Sequence, residues 1–387
     1  MKKISIARIK MLLAIGLLLI AVAGCSKFVF KPKASRDSQA AWPAAGFNSA
    51  RTFCIETHLD PPLQEVARFK LSSAVAQNIF MNYGYLFVPT LDGRLFVIDP
   101  EAMKIVSKRK MPGGAGTLAF TGNTMIVASR FNKRTLFSFD VFKRDQLWEI
   151  DAGDLANEPL VADSTVYVAS LSGRVAAYRL HDGRRLWQFR AEGQLHASPV
   201  MAEDIIVAAS SAGKIYGLKA ENGEKLWEAD CEQPVLASPA IHRGRVYLGT
   251  GRDLLMALAL HSGEEQWRVK TPGRIFQAPA VNDSLVIFAG ADGWLRALAP
   301  ESGKLEWNSQ AMSVAGTSPL IAGDQVFFGS LDNHVYALNS SDGALLWRQQ
   351  LDGRVRTNPI IWKDKLIVAS EDRYLYIFGP REAAGTN

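Results

Sequence analysis

Short runs of β-branched and aromatic residues, separated by turn residues, recur along most of the chain. The best-formed unit has four such runs between residues 318 and 347, with Gly323-Asp324, Asp332-Asn333 and Asp342-Gly343 at the breaks. Runs of this length are typical of short strands, and Asp-Gly or Asn-Gly pairs suit tight hairpins because the central residues need positive φ. Each unit is therefore predicted to be an antiparallel meander of four strands.

The unit repeats with a period of 40 residues. One ladder is formed by tryptophan, at Trp148, Trp187, Trp227, Trp267, Trp307 and Trp347, and a second by proline, at Pro159, Pro199, Pro239, Pro279, Pro319 and Pro359. The central strand pairs begin near Tyr85, Thr124, Thr165, Asp204, Arg245, Ser284, Gln325 and Lys365, which makes eight units. Because a four-stranded sheet of this size cannot bury both faces alone, the units must stack, and radial stacking closes as a propeller.

The two ends of the repeat predict how the ring closes. The last unit stops after residues 374–378 without a fourth strand, whereas residues 65–71 form an orphan strand ahead of the first unit. We expect the orphan strand to complete the last blade, which would otherwise present an unpaired edge. The predicted fold class is thus all-β, an eight-bladed β-propeller of four-stranded antiparallel blades closed by an N-terminal strand. Deletion of residues 26–60 is then expected to be tolerated, whereas a deletion that extends through Leu71 is expected to destabilise the protein.

The periodic tryptophans are interpreted as packing residues between neighbouring sheets. One tryptophan per blade at a fixed strand position favours this over a ligand-stacking cage, and each buries on the order of 200 Å². Trp42, Trp294 and Trp362 lie off the ladder and are expected to be freer for surface contacts.

The N-terminus has the layout of a bacterial export signal. Basic residues precede an apolar run from Met11 to Ala23, and the run is too short for a comfortable membrane-spanning helix. It ends in Val22-Ala23-Gly24-Cys25, which resembles the lipobox of bacterial lipoproteins, in which the cysteine is lipidated. The predicted organisation is a signal peptide (1–24), a lipidated tether (25–63), the propeller (64–379) and a C-terminal tail (380–387).

Composition removes the main reason to expect a nucleic-acid partner. The chain has 44 basic and 38 acidic residues, and loss of the signal removes four basic ones, which leaves a mature net charge of +2. Phosphate binding needs a concentrated basic face. The early cluster of Lys27, Lys31, Lys33 and Arg36 is interpreted as a solvated tether that touches anionic headgroups.

The residues that carry chemistry in enzymes form no recognisable site in this sequence. The six histidines lack metal-ligand spacing, and neither a catalytic triad nor a phosphate-binding loop is present. Two cysteines remain after lipidation, Cys54 and Cys231, for which free thiols are favoured and a disulfide is the alternative. The innermost strands, such as residues 198–201 and 277–280, offer few groups to orient a ligand. No catalytic, cofactor-binding or metal-binding residue is predicted.

The unit with Ser-Pro, Leu-Trp, Asp-Gly and Val-Tyr-Ala-Leu resembles the repeat of pyrroloquinoline-quinone (PQQ) propellers over roughly residues 64–379. Together with the lipoprotein signal, it resembles the BamB family of outer-membrane assembly lipoproteins. The resemblance implies a non-catalytic scaffold without cofactor, anchored in the outer membrane and facing the periplasm, where Ser26 also suits outer-membrane retention. It also implies that the partners are the POTRA domains of the barrel-forming subunit.

The alternative is a small-ligand or redox propeller related to the PQQ-dependent dehydrogenases. Such an enzyme would stack a quinone in the channel and hold calcium through Glu, Asn and Asp oxygens. These enzymes commonly carry adjacent cysteines over the cofactor, and this chain has no such pair.

Changing Cys25→Ser is expected to abolish acylation and release the protein into the soluble fraction, because no apolar stretch of the mature sequence is long enough to span a bilayer. Mass spectrometry of the mature N-terminal peptide and fractionation of the envelope measure both effects. A native protein that is unmodified and free in the periplasm would refute the anchor.

Overall fold

The computed structural model describes residues 42–130, 132–143 and 145–381. Within these ranges the chain forms strands and no helix, and the strands build eight antiparallel sheets arranged as the blades of one ring. The predicted eight-bladed β-propeller is confirmed. None of the described residues form a helix with the length and apolar character needed to cross a membrane. The signal peptide, Cys25 and residues 382–387 lie outside the described ranges.

The strands are numbered in chain order, and the four strands of each blade run from the central channel outward. Two strands precede the first blade, β1 (Cys54–Ile55) and β2 (Leu63–Lys70). Blades 1 and 2 are β3 (Phe80–Asn82), β4 (Tyr85–Pro89), β5 (Arg94–Asp99), β6 (Lys104–Lys110), and β7 (Gly116–Thr121), β8 (Thr124–Ser129), β9 (Leu136–Asp140), β10 (Asp145–Ile150). Blades 3 and 4 are β11 (Leu160–Ala162), β12 (Thr165–Ala169), β13 (Arg174–Arg179), β14 (Arg185–Arg190), and β15 (Val200–Ala202), β16 (Ile205–Ala209), β17 (Lys214–Lys219), β18 (Lys225–Asp230).

The second half of the ring follows the same plan. Blades 5 and 6 are β19 (Ala240–His242), β20 (Arg245–Gly249), β21 (Leu254–Ala259), β22 (Glu265–Lys270), and β23 (Ala280–Val281), β24 (Val286–Ala289), β25 (Trp294–Leu298), β26 (Leu305–Gln310). Blade 7 is β27 (Leu320–Ala322), β28 (Gln325–Gly329), β29 (His334–Asn339) and β30 (Leu345–Gln350). Blade 8 is β31 (Ile360–Trp362), β32 (Lys365–Ala369) and β33 (Tyr374–Pro380), with β2 as its outer strand.

The core lies between the faces of neighbouring blades. The second and third strands are buried almost throughout, as in β16 and β17, because both of their faces are covered by adjacent sheets. The outer strands are mostly exposed, and in β14, β18, β22, β26 and β30 the tryptophan is the one buried residue.

Each ladder tryptophan lies against the next blade. The six indoles are 6% to 9% exposed, and each Nε1 donates a hydrogen bond to a backbone carbonyl of the following blade at 2.7 to 3.1 Å; the acceptors are Leu180, Ala220, Leu260, Pro300, Ser340 and Leu63. The glycine of that blade's turn lies directly on the ring. At Gly263 (φ +70°) an added Cβ would come within 2.4 Å of the Trp227 ring, so this position needs glycine both for its backbone and for its lack of a side chain.

The predicted closing strand is confirmed. β2 pairs antiparallel with β33 from Leu63 opposite Pro380 to Lys70 opposite Tyr374, and it supplies the fourth strand of blade 8. Trp347 of blade 7 donates to the Leu63 carbonyl at 3.1 Å. The strand β2, here called the latch, therefore also takes part in the contact between blades 7 and 8. The two ends of the repeat therefore meet in one sheet.

The structure differs from the prediction for the tether assigned to residues 25–63. Residues 42–59, which we call the plug segment, cross the channel instead of leaving the ring, and much of the segment is buried. Its end is fixed to blade 7, where the Gln325 side chain donates to the Leu59 carbonyl at 2.5 Å and accepts from the Leu59 amide at 3.2 Å. The sequence concealed this because the plug segment bonds mainly through its backbone.

His58 forms a second attachment at the same point. Its ring nitrogens contact Asp324 at 2.7 Å and Asp60 at 3.0 Å. Although burial, the largest single influence, lowers the pKa of His58, the hydrogen bonds and charges of Asp324 and Asp60 together raise it. The junction between the plug segment and β2 is thus held to blade 7 by the His58 side chain as well as by the backbone of Leu59.

Three nested deletions separate tether, plug segment and latch. Removal of residues 26–41 is expected to leave the melting temperature unchanged. Removal of residues 26–60 should lower it by roughly 5 °C or more, because several backbone hydrogen bonds and a buried ion pair are lost. Removal through Leu71 should lower it further and cause aggregation, since the edge of β33 is opened. Circular dichroism and gel filtration measure these effects, and equal melting temperatures for the first two deletions would contradict the structural role of the plug segment.

Candidate functional site

The central channel has two differently built mouths. One opens on the side of the ring that carries the hairpins between first and second strands, here called the hairpin face. The other opens on the side that carries the connections from blade to blade, here called the connection face. The plug segment lies between them and separates the two mouths.

The plug segment pairs with the inner edges of six blades. Backbone amides at equivalent positions of the first strands donate to its carbonyls at 2.8 to 3.0 Å: Met81 to Trp42, Phe120 to Pro43, Met201 to Ser49, Ile241 to Ala50, Val281 to Thr52 and Ile321 to Phe53. In blade 7 this contact extends to a parallel pairing of β1 with β27. Without the plug segment, the inner edge of each first strand would have backbone amides and carbonyls that lack hydrogen-bond partners. The plug segment accepts hydrogen bonds from amides that closure of the ring leaves unpaired.

To follow the ring, the plug segment passes from one blade to the next within one or two residues at Trp42 and Pro43 and again from Ser49 to Phe53. Phe47, Arg51 and Phe53 all have positive φ, at 76°, 52° and 47°. This conformation is unfavourable for residues other than glycine and persists only where the surroundings enforce it. Here the enforcing contacts are the hydrogen bonds to successive blades and the side chain of Arg51.

Arg51 and Glu158 form a buried ion pair in the centre of the channel. They are 3% and 5% exposed, and Arg51 Nη1 donates to Glu158 Oε2 at 3.5 Å. Asn78 Nδ2 and Ser198 Oγ also donate to the Glu158 carboxylate, each at 2.6 Å. Burial lowers the pKa of Arg51, and the charge and hydrogen bond of Glu158 oppose that effect. A charge buried to this extent needs a paired partner, which Glu158 provides.

Glu158 belongs to a ring of small polar side chains that precede the inner strands. The members cap amides of neighbouring blades: Glu158 N donates to Ser198 Oγ, Ser198 N to Ser238 Oγ, and Ser318 N to Asn358 Oδ1, at 2.8 to 3.2 Å. Asn358 Nδ2 donates to Asn78 Oδ1 at 2.7 Å. These residues line a polar cavity of about 80 Å³ at the connection face.

The polar centre was missed in the sequence, which predicted an inner wall with few polar groups. One signal was present, since Glu158 places a carboxylate where the corresponding position of other blades is Ser198, Ser238 or Ser318. Arg51 gave no comparable signal because it lies outside the repeat. The pairing of the two depends on a contact between residues 107 positions apart.

The mouth at the hairpin face is a cavity of about 890 Å³, here called the vestibule. Its floor includes Trp42, Phe47, Ile361 and Trp362, which pack in one hydrophobic cluster. The expectation that the off-ladder tryptophans are freer for surface contacts is wrong for Trp42 and Trp362, each 4% exposed. Trp294 is partly exposed at the start of β25.

Cys54 also lines the vestibule and is a free thiol, as is the buried Cys231. The prediction of two free thiols is thus confirmed. Burial, with smaller effects of Asp283 and Glu56, raises the pKa of Cys54 to about 11. The thiol is therefore protonated at neutral pH and poorly suited to act as a nucleophile. Among the described residues no group of three or more His, Cys, Asp and Glu side chains is arranged to hold a metal ion.

The sequence matches the family described as outer membrane protein assembly factor BamB over residues 91–238, 215–320 and 292–382. Together these overlapping matches span most of the chain. The chain belongs to the BamB family.

A relative from Nitrosomonas eutropha (strain DSM 101675 / C91 / Nm57), also outer membrane protein assembly factor BamB, is 27% identical over 135 residues. That alignment covers 34% of this chain and 31% of the relative, so it spans under a third of the relative's length. The crystal structure of BamB from Moraxella catarrhalis is similar with a TM-score of 0.70 and 17% identity, and it covers 82% of this chain and 100% of that one.

Enzymes share the fold of this BamB-family chain. Quinohemoprotein alcohol dehydrogenase from Comamonas testosteroni superimposes with a TM-score of 0.74 at 12% identity, covering 94% of this chain and 85% of the enzyme. The computationally designed Ika8 protein gives the same TM-score at 13% identity, covering 82% and 100%. At these identities the likeness shows the fold alone.

The channel centre of this BamB-family chain does not fit a quinone with its calcium ion. Glu158, the acidic residue at the centre, already accepts from Arg51, Asn78 and Ser198. The positive charge of the Arg51 guanidinium would repel a divalent cation at this place. The cavity of about 80 Å³ is also far smaller than the roughly 300 Å³ of the smallest ligand pockets. The oxygens of Glu158 are therefore used to hold the plug segment and its neighbours, and not to bind a cation.

Changing Glu158→Gln is expected to lower the free energy of unfolding by roughly 3 kcal/mol, because Arg51 is left buried without an anion. Adding Arg51→Met to this variant should restore part of the loss, since the unpaired charge is removed. Urea denaturation measures both variants. Ser238→Ala, at the same position of another blade, is the matched control and should cost about 1 kcal/mol. A cost for Glu158→Gln no larger than this control would contradict the ion pair's role.

Proposed function

We propose that this protein is a non-catalytic scaffold that is anchored through Cys25 in the outer membrane and binds protein partners in the periplasm during outer-membrane protein assembly. Membership of the BamB family supports the process. The observation that carries the scaffold assignment is the plug segment, because it fills the channel centre where a quinone-dependent propeller would bind its cofactor. The partner we propose is the set of POTRA domains of the barrel-forming subunit.

The connection face is the surface we propose for this partner. Phe276 and Met312 lie in consecutive connections between blades and are 45% and 71% exposed. Arg274 is exposed in the same connection as Phe276, and Arg252 is exposed in the loop between β20 and β21; neither has a carboxylate partner among the described residues. Exposed apolar side chains beside unpaired cations suit a protein surface that presents apolar and acidic groups, since aromatic and arginine residues carry much of the energy of such interfaces.

The double variant Phe276→Ser/Met312→Ser is expected to weaken binding of the barrel-forming subunit's POTRA domains about tenfold or more, because two exposed apolar contacts are lost. Isothermal titration calorimetry with the purified periplasmic domains measures the Kd. Leu186→Ser is the matched control, since Leu186 is 48% exposed but lies on the outer strand β14, and it should leave the Kd within about twofold.

Two results would overturn the proposal at different levels. Equal weakening by Leu186→Ser would reject the connection face, and no saturable binding by the unaltered protein would reject the POTRA partner. A saturable spectral change on titration with PQQ and Ca²⁺, with turnover of an alcohol, would reject the scaffold assignment itself.

A further inference from the structure

The vestibule exposes a strand edge that the plug segment leaves unpaired. The plug segment satisfies the inner amides of blades 1, 2, 4, 5, 6 and 7. The equivalent residues of blades 3 and 8 are Val161 and Ile361, and among the described residues no backbone carbonyl accepts from either amide. Ile361 lines the vestibule, whereas Val161 does not. Within the described part of the chain, blade 8 therefore has an inner amide without an acceptor at a residue that lines the vestibule.

We propose that the vestibule binds an extended apolar peptide segment without acidic side chains, which adds as a strand to the inner edge of β31. Strand addition to an exposed sheet edge is a general mode of peptide recognition, in which backbone hydrogen bonds provide affinity and pockets select alternate side chains.

The chain itself shows this mode in the neighbouring blade. β1 adds to the inner edge of β27 in parallel, with Cys54 opposite Ile321 and Ile55 opposite Ala322. Gly323 N also donates to the Ile55 carbonyl at 3.1 Å. β31 has the same length and the same pairing with its second strand as β27, with Ile361 opposite Leu366 where Ile321 is opposite Val326. A peptide on β31 would thus continue a row of pairings that already runs around the channel.

The surroundings of this edge select the ligand. Trp42, Phe47 and Trp362 supply aromatic surface beside it, and the Trp42 and Phe47 ring centroids are 5.3 Å apart. At the rim, Lys363 is paired with Glu101 at 2.5 Å and Asp283 with His242 at 2.7 Å, whereas Glu56 has no ion-pair partner among the described residues. An acidic ligand side chain would be repelled by Glu56 and Asp283, whereas an apolar one would bury against the rings.

The size of the vestibule agrees with a short segment. Its volume of about 890 Å³ is near the upper end of the roughly 300 to 1,000 Å³ range of ligand pockets. The site goes beyond the proposed scaffold function, because it lies on the hairpin face and Phe276 and Met312 lie on the connection face. Its test is independent of the POTRA partner.

Replacing Ile361→Pro removes the amide that would pair with the ligand. The probe is a fluorescein-labelled peptide of alternating valine and threonine residues, titrated with the mature protein in detergent and followed by fluorescence anisotropy. The unaltered protein should bind it saturably, and Ile361→Pro should raise the Kd about tenfold or more. Val161→Pro is the matched control, because it removes an equivalent unpaired amide outside the vestibule, and it should leave the Kd within about twofold.

Two further arms keep the test independent of folding. Thr57→Trp places a bulky side chain at the exposed rim of the vestibule and should also abolish binding, with an unchanged melting temperature. A peptide of the same sequence with N-methylated backbone amides should not bind, since it cannot pair as a strand. Absence of saturable binding by the unaltered protein, equal binding of the methylated peptide, or normal binding by both Ile361→Pro and Thr57→Trp would each overturn the proposal.

Discussion

The structure depends on how the ring satisfies the backbone at its inner rim. Closure of the ring covers the faces of each sheet with its neighbours. It leaves eight inner strands, however, each with an edge that faces the channel. Buried amides without an acceptor are costly, so the channel must hold water, a ligand or additional chain. In this protein the plug segment provides carbonyls from Trp42 to Phe53 for six of the eight blades. The inner rim is therefore built from two separate parts of the sequence.

This arrangement explains why the centre of the molecule is charged. A chain that contacts a new blade every one or two residues, as residues 49–53 do, needs unusual backbone angles, and Arg51 has one of them at φ 52°. The Arg51 side chain reaches Glu158, which is held in turn by Asn78 and Ser198 from two other blades. The ion pair thus connects the plug segment to the polar ring at the connection face. It also uses the oxygens that a cation in the channel would require.

The two faces of the ring are left with different chemistry. The connection face combines a small polar cavity with exposed Phe276 and Met312, which suits contact with a folded partner. The hairpin face has the vestibule, with aromatic walls and the edge of β31, which suits an extended segment. Because the plug segment separates the two mouths, a partner can bind at one mouth without opening a path to the other.

The amino-acid sequence determined the repeat architecture, and only the tertiary structure decided what fills the ring. The blade number, the strand order, the packing of ladder tryptophans such as Trp227 between sheets and the closing strand follow from a local period, because each blade uses the same residue types at the same spacing. The path of residues 42–59 and the pair of Arg51 with Glu158 do not. The plug segment has no period and bonds chiefly through backbone carbonyls, which every residue carries, so its side chains hold no signature of its partners. Its position is determined by the empty edges of blades that exist only once the ring is closed.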